Sequence, residues 1–193
     1  MGVYVNDFNE FSVADGTIKA SFYLTFVSDR NVSLDDIEIM NGQALSVDMI
    51  RDNTNEKEYR ITAELTADPD LHRFPFDRHI ITVEIEPKLM NELEMVLVID
   101  QANSGIDPEA DLPGWGLTST CSDIFNRTYV PSEVPYSRAV FGFGIERDAT
   151  STVLKFFLPI MLIIVVALSS LMLKISSRLG LNASMFLAAV LIH

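Results

Sequence analysis

Residues 156–173, FFLPIMLIIVVALSSLML, run for eighteen positions without a charge. As a helix rising 1.5 Å per residue, the run is about 27 Å long, close to the thickness of a bilayer's hydrocarbon core. A core helix of that length ordinarily keeps a polar face, so the run reads as a first transmembrane helix over 152–174. The charge divides at the same place. All 27 Asp and Glu and 11 of the 14 Lys and Arg precede Val153, giving that part a net charge of −16. Beyond it lie only Lys155, Lys174 and Arg178. Lys174 and Arg178 directly follow the run, which sets them in the cytoplasm and the acidic part outside. A second apolar stretch, LGLNASMFLAAVLIH, starts at Leu179 and stops at His193, too short to cross and readable as the first part of another helix. An exported domain also implies a leader ahead of Met1, since no secretory signal precedes the first strand.

The acidic part, residues 1–150, reads as all-β. Ile18, Ala20, Phe22, Leu24 and Phe26 fall on one face of a strand, as do Tyr59, Ile61, Ala63 and Leu65, then Ile81, Val83 and Ile85, and finally Ala139, Phe141, Phe143 and Ile145. Segment 93–100, LEMVLVID, alternates in the same way. Period-two patterns with one apolar face belong to antiparallel strands covered on one side. Turn signals separate them at Asp15-Gly16, Asn41-Gly42, Asp52-Asn53, Asn103-Ser104-Gly105 and Pro113-Gly114. Eight or nine short strands of this kind predict an Ig-like β-sandwich. The single cysteine, Cys121, excludes an internal disulfide and reads as a half-buried strand thiol.

Several chemistries find no footing. The negative charge disfavours nucleic acid. His72, Asp77 and His79 do not make a metal site, because alternate strand residues share a face and a proline loop separates His72 from the other two. Neither a nucleophile elbow, a glycine-rich phosphate loop nor a paired-carboxylate pocket can be placed, so no enzyme and no cofactor is expected.

Four motifs occur in order: FPFD at residues 74–77, PGW at 113–115, Arg147 twelve residues before Pro159, and SRLGLNASMFLAAVLIH at the end. Together they resemble the pentameric ligand-gated ion channels, the Cys-loop receptor superfamily, in its prokaryotic form. The resemblance covers essentially the whole chain. It implies an extracellular or periplasmic sandwich over 1–150 and a transmembrane region over 151–193, with a pore helix starting near 178. It also implies a homopentamer in the cell (inner) membrane, multi-pass in the full protein, opened by a small-molecule or ionic agonist and carrying permeant ions.

The residues themselves fit that frame. A proline between two phenylalanines makes a rigid apolar tip that is costly to leave in water. Phe74, Pro75 and Phe76 are expected to rest against helix ends and headgroups, and Asp77 to face Arg147, where strand gives way to helix. A carboxylate and a guanidinium in a partly dry setting make a directional pair able to transmit motion. Asp15, in the first hairpin turn, is the second candidate partner for Arg147, although a plain Asp-Gly turn explains it equally. Read without the helical tail, Phe74 and Phe76 are ordinary core residues and Arg147 a solvated strand end.

Pro159 removes one helix hydrogen bond and predicts a kink. If the pore helix starts at Arg178, Gly180, Ser184, Leu187 and Leu191 share its lumen face, and a ring of Leu187 side chains forms an apolar gate. A lipid- or helix-facing leucine is the other reading of that position. Ser176 and Ser177 supply no acidic ring before the pore helix, while the negative outer domain favours cations.

The sequence departs from the family in several places. Ala67 and Ile81 stand where the loop cysteines would be, and His79 stands where the family usually has glutamine. No tryptophan-proline segment marks the first wall of an agonist pocket, and residues 37–42, IEIMNG, are its only remnant. Tyr129 and Tyr136 flank VPSEVP, where the capping loop belongs; they hold a cation or merely stabilise a hairpin. The competing class is a membrane-anchored outer sensor or adhesion module without a pore.

Overall fold

Gly16 sits at φ +64°, a conformation that costs glycine little. It folds strand β1 (Gly2–Ser12) back against β2 (Thr17–Val27). The computed structural model describes residues 1–130, 133–172, 180, 183, 184, 186 and 187. Seven further strands follow among them: β3 (Ile37–Ile39), β4 (Gly42–Asp52), β5 (Glu56–Thr66), β6 (Arg78–Pro87), β7 (Gly105–Ile106), β8 (Trp115–Thr128) and β9 (Pro135–Arg147). They form two sheets, ordered β4-β5-β2-β1-β7 and β3-β6-β9-β8. The short β7 runs parallel to β1, while β2–β5, β4–β5, β3–β6 and β6–β9 pair antiparallel.

The alternating faces named above line the interior. Ile18 to Phe26 on β2, Tyr59 to Leu65 on β5, Ile81 to Ile85 on β6 and Ala139 to Ile145 on β9 are buried at every second position and join one apolar cluster. Phe8 of one sheet meets Phe143 of the other edge-on, with centroids 6.1 Å apart. The protein is therefore mostly β-sheet, two sheets sharing one core, with a single apolar helix at the C-terminal side among the described residues.

Three expectations change. Segment 93–100 alternates but joins neither sheet. Its backbone is satisfied piecemeal: the Met1 ammonium donates to the Val98 carbonyl at 2.6 Å, Asp100 N–H to the Met1 carbonyl at 2.7 Å, and Leu97 N–H to Ser137 Oγ at 3.1 Å. Leu97 is buried all the same, which explains the strand-like pattern. Cys121 is on a strand as expected, but exposed. It lies against Gly142 on the outer face of β9, where an added Cβ would come within 2.5 Å of the sulfur.

The third change concerns boundaries. The chain divides into units Met1–Glu146 and Arg147–His193, four residues before the expected 150. Helix α1 (Ala149–Ser170) starts three residues early because Asp148 caps it, accepting from Ser151 N–H at 3.1 Å. It continues through Pro159 and is long and apolar enough to cross a membrane. Within it, Ser169 and Ser170 return their hydroxyls to the carbonyls of Val165 and Ala167, at 2.8 and 2.7 Å. A polar side chain that bonds its own helix in this way is tolerable in lipid.

β4 stands apart. It is an edge strand, and all eleven of its residues are exposed. Val47 and Met49 pair with Ile61 and Tyr59 and so lie on the core-facing side of the sheet, yet they are 42% and 54% exposed.

Candidate functional site

The connection from β5 to β6 carries the FPFD motif. Two turns fold it: Phe74 N–H donates to the Leu71 carbonyl at 3.0 Å, and Phe76 N–H to the Arg73 carbonyl at 2.7 Å. The Phe74–Pro75 peptide is cis. Phe74 and Phe76 are 47% and 68% exposed, so they are not core residues. Leu71 beside them is exposed as well. The apolar tip thus stands out from the sandwich.

Asp77, next in sequence, is the opposite. It is buried, and His79 Nε2 bonds its Oδ2 at 2.9 Å. His79 shares the inward parity of Ile81 and Val83 and is the first inward position of β6. Its ring lies 5.3 Å from Trp115 and 6.2 Å from Phe11, measured between centroids. Arg78, pointing outward, pairs with Glu146 across β9 at 2.8 Å.

Asp15 is exposed in the β1–β2 turn, where Ser12 Oγ donates to its carboxylate at 2.5 Å. Ala67 N–H donates to the Gly16 carbonyl at 2.8 Å, so this turn and the FPFD connection share one end of the sandwich. The chain leaves the sandwich after Glu146, opposite Arg78, at that same end. Arg147 is the last residue of β9 and opens the second unit.

Tyr129 and Tyr136 do meet, edge-on at 5.9 Å, but they belong to a charge cluster that the sequence reading missed. On the outer face of the four-stranded sheet, Arg138 Nε bonds Glu86, Nη1 bonds Glu84 at 2.6 Å, and Nη2 bonds the Tyr129 hydroxyl at 2.8 Å. The Tyr129 hydroxyl also donates to Glu86 at 2.8 Å. Phe125 lies under the guanidinium at 6.0 Å. Burial opposes the Arg138 charge, but the bond and charge of Glu86 outweigh it and hold its pKa above the ordinary value. Burial first, then the Glu86 bond and charge, push the Tyr129 hydroxyl up. A resident guanidinium thus takes the place between acids and aromatic rings that an amine ligand would seek. The available signal was Glu84 and Glu86 at alternate, outward positions of β6.

At the far end of the sandwich, a cavity of about 350 Å³ opens among Met1, Phe26, Val32, Met95, Leu97 and Val98. It is large enough for a small organic ligand. No three ligating side chains converge on a metal position among the described residues.

In the second unit, Gly180, Ser184 and Leu187 are helical, and Ser184 Oγ donates to the Gly180 carbonyl at 3.0 Å. Leu191, the helix start at Arg178, and Lys174, Ser176 and Ser177 lie outside the described residues. No family model matches the chain, and no curated protein matches it either.

Proposed function

We propose that the chain is the outer domain, first span and start of the pore helix of a subunit of a pentameric ligand-gated ion channel. One observation carries the reading. An apolar FPF tip stays exposed beside a buried carboxylate, at the end from which the chain runs on into an apolar helix. Exposed aromatic rings at such a point are costly in water and favourable against headgroups or helix ends.

In this reading the sandwich is Ig-like and lies outside the cell membrane. Asp15, Phe74, Pro75, Phe76, Asp77 and Arg147 couple it to the pore. Gly180, Ser184, Leu187 and Leu191 line the pore, and five copies surround it. The uncovered face of β4 is apolar surface of the kind that a neighbouring subunit buries. The acidic outer domain enriches cations at the mouth. Because Tyr129 is already engaged by Arg138 and Glu86, the cavity at the far end is the better place for an agonist.

The test is single-channel recording of the full-length protein in planar bilayers, wild type against Leu187→Ser. A polar residue in an apolar constriction favours wetting, so the variant is expected to pass current at rest where wild type stays closed. Correctly inserted protein that is silent under a broad ligand and pH screen, with no effect of the substitution, would instead favour an anchored sensor. That reading draws on there being one membrane-length helix among the described residues.

A further inference from the structure

The cavity at the far end of the sandwich has walls of two kinds. Its buried members are apolar: Phe26 near the end of β2, Val32 in the loop that follows, and Leu97. Met90 and Met95 are half-buried members of the same lining. Its exposed members include three charges, Asp29, Arg30 and Glu94. Arg30 is the only basic side chain among the described lining residues. Among the described residues, Asp29 and Arg30 form no ion pair, with each other or with any other group.

We propose that this cavity binds a hydrophobic, zwitterionic α-amino acid. Arg30 takes its carboxylate, Asp29 and Glu94 take its ammonium, and the methionine and phenylalanine floor takes its side chain. A volume of about 350 Å³ is at the small end of ligand sites and suits one amino acid rather than a larger molecule. Thioethers adapt to the shape of what they touch and pack well against aromatic rings, so the floor suits an aromatic side chain.

Charge decides the head group. A guanidinium holds a carboxylate by two parallel bonds. A simple carboxylic acid, however, has to approach a domain of net charge −16. A simple amine is drawn in by that field but brings its charge beside Arg30 and leaves the guanidinium unused. A molecule carrying both signs is not repelled and engages all three rim charges.

The walls are set by bonds within the chain. Ser28 N–H donates to the Asn55 carbonyl in the β4–β5 turn at 3.0 Å, and Val32 N–H to the Arg30 carbonyl at 2.9 Å. Arg30 N–H donates to Ser28 Oγ at 3.1 Å. On the other segment, Glu94 N–H and Met95 N–H both donate to the Asn91 carbonyl at 2.9 Å, and Asn91 N–H donates to Glu94 Oε2 at 3.2 Å. The second carboxylate oxygen of Glu94 is left for a ligand. Leu97 N–H is held by Ser137 Oγ of β9 at 3.1 Å. Backbone fixed in this way leaves little ordering to oppose binding.

A role for this ligand as agonist rests on the channel reading; the binding itself belongs to the sandwich. The experiment is isothermal titration calorimetry of the full-length protein, paired with ligand-induced shifts in melting temperature. The probes are L-phenylalanine and its two halves: 2-phenylethylamine, which lacks the carboxylate, and 3-phenylpropionate, which lacks the ammonium. L-Phenylalanine is expected to bind at least about tenfold tighter than either half, the usual worth of one bond between charged groups. Arg30→Gln is expected to weaken L-phenylalanine by about the same factor and to leave 2-phenylethylamine unchanged. Asp29→Asn combined with Glu94→Gln is expected to weaken L-phenylalanine and leave 3-phenylpropionate unchanged. All three positions are exposed, so these variants are expected to fold. Met95→Trp, which fills the floor, is expected to abolish binding of all three probes; circular dichroism checks its fold, and Arg30→Gln decides the matter if it is lost. Neither heat nor a melting shift with L-phenylalanine into the millimolar range overturns the proposal. So does a half that binds as tightly as the whole, or an Arg30→Gln loss shared equally by all probes. Recording in planar bilayers with L-phenylalanine separates the two claims. Binding without current leaves the site assigned and counts against the channel reading. Currents altered by Leu187→Ser, with no binding, strike the site and leave the channel.

Discussion

Arg138→Ala is expected to lower the stability of the sandwich by about 3 to 5 kcal/mol, the usual cost of removing one partner from a buried ion pair. The loss falls on Glu86, whose side chain is almost fully buried and bonds both Arg138 and Tyr129. Without the guanidinium, two carboxylates two residues apart on one strand face remain with no cation between them. Glu84 is better hydrated and suffers less. Thermal loss of the far-ultraviolet β signal measures the effect, with the midpoint expected about 10 °C lower at this chain length. Arg138→Ala combined with Glu86→Gln is expected to recover much of the loss, because the stranded charge is gone. If the single change costs under about 1 kcal/mol, the pair is effectively in water and behaves as a surface bridge.

Phe22→Ala is expected to cost about 3 to 5 kcal/mol, whereas Phe76→Ala stays within about 0.5 kcal/mol. The residues are chemically identical, and the difference lies in where the ring is. Phe22 is fully buried on β2, in register with Val5 on one side and Ile61 on the other. Its removal leaves a cavity that two flanking strands cannot close without breaking their ladders. Phe76 is mostly exposed at the loop tip, so its loss leaves no cavity. Denaturation midpoints of the two variants separate these roles directly. A large stability cost at Phe76 would make the tip a structural plug and remove the principal support for a coupling role.

The strands that face the core on one side were legible because water and core impose opposite chemistry on alternate residues. That held for β2, β5, β6 and β9, whose named faces are all buried. It misled at residues 93–100, where Leu97 is buried but the ladder is replaced by bonds to Met1 and Ser137. β4 was hard to see for the converse reason. Two register shifts, between Ala44 and Ser46 and between Met49 and Arg51, break its period, and no residue of it is buried. The exposed tip, with Asp77 drawn inward behind it, left a readable trace in FPFD. The Arg138 cluster left only the alternation of Glu84 and Glu86; their partner lies 52 and 54 residues away and meets them only through the β6–β9 register.

The uncovered side of β4 has a thermodynamic consequence. Apolar surface that a single copy leaves wet contributes nothing to folding until something lies against it. In the proposed pentamer that something is a neighbouring copy, and apparent stability would then depend on protein concentration, by mass action. Dilution should lower the melting temperature of such a protein even though no bond within the chain has changed.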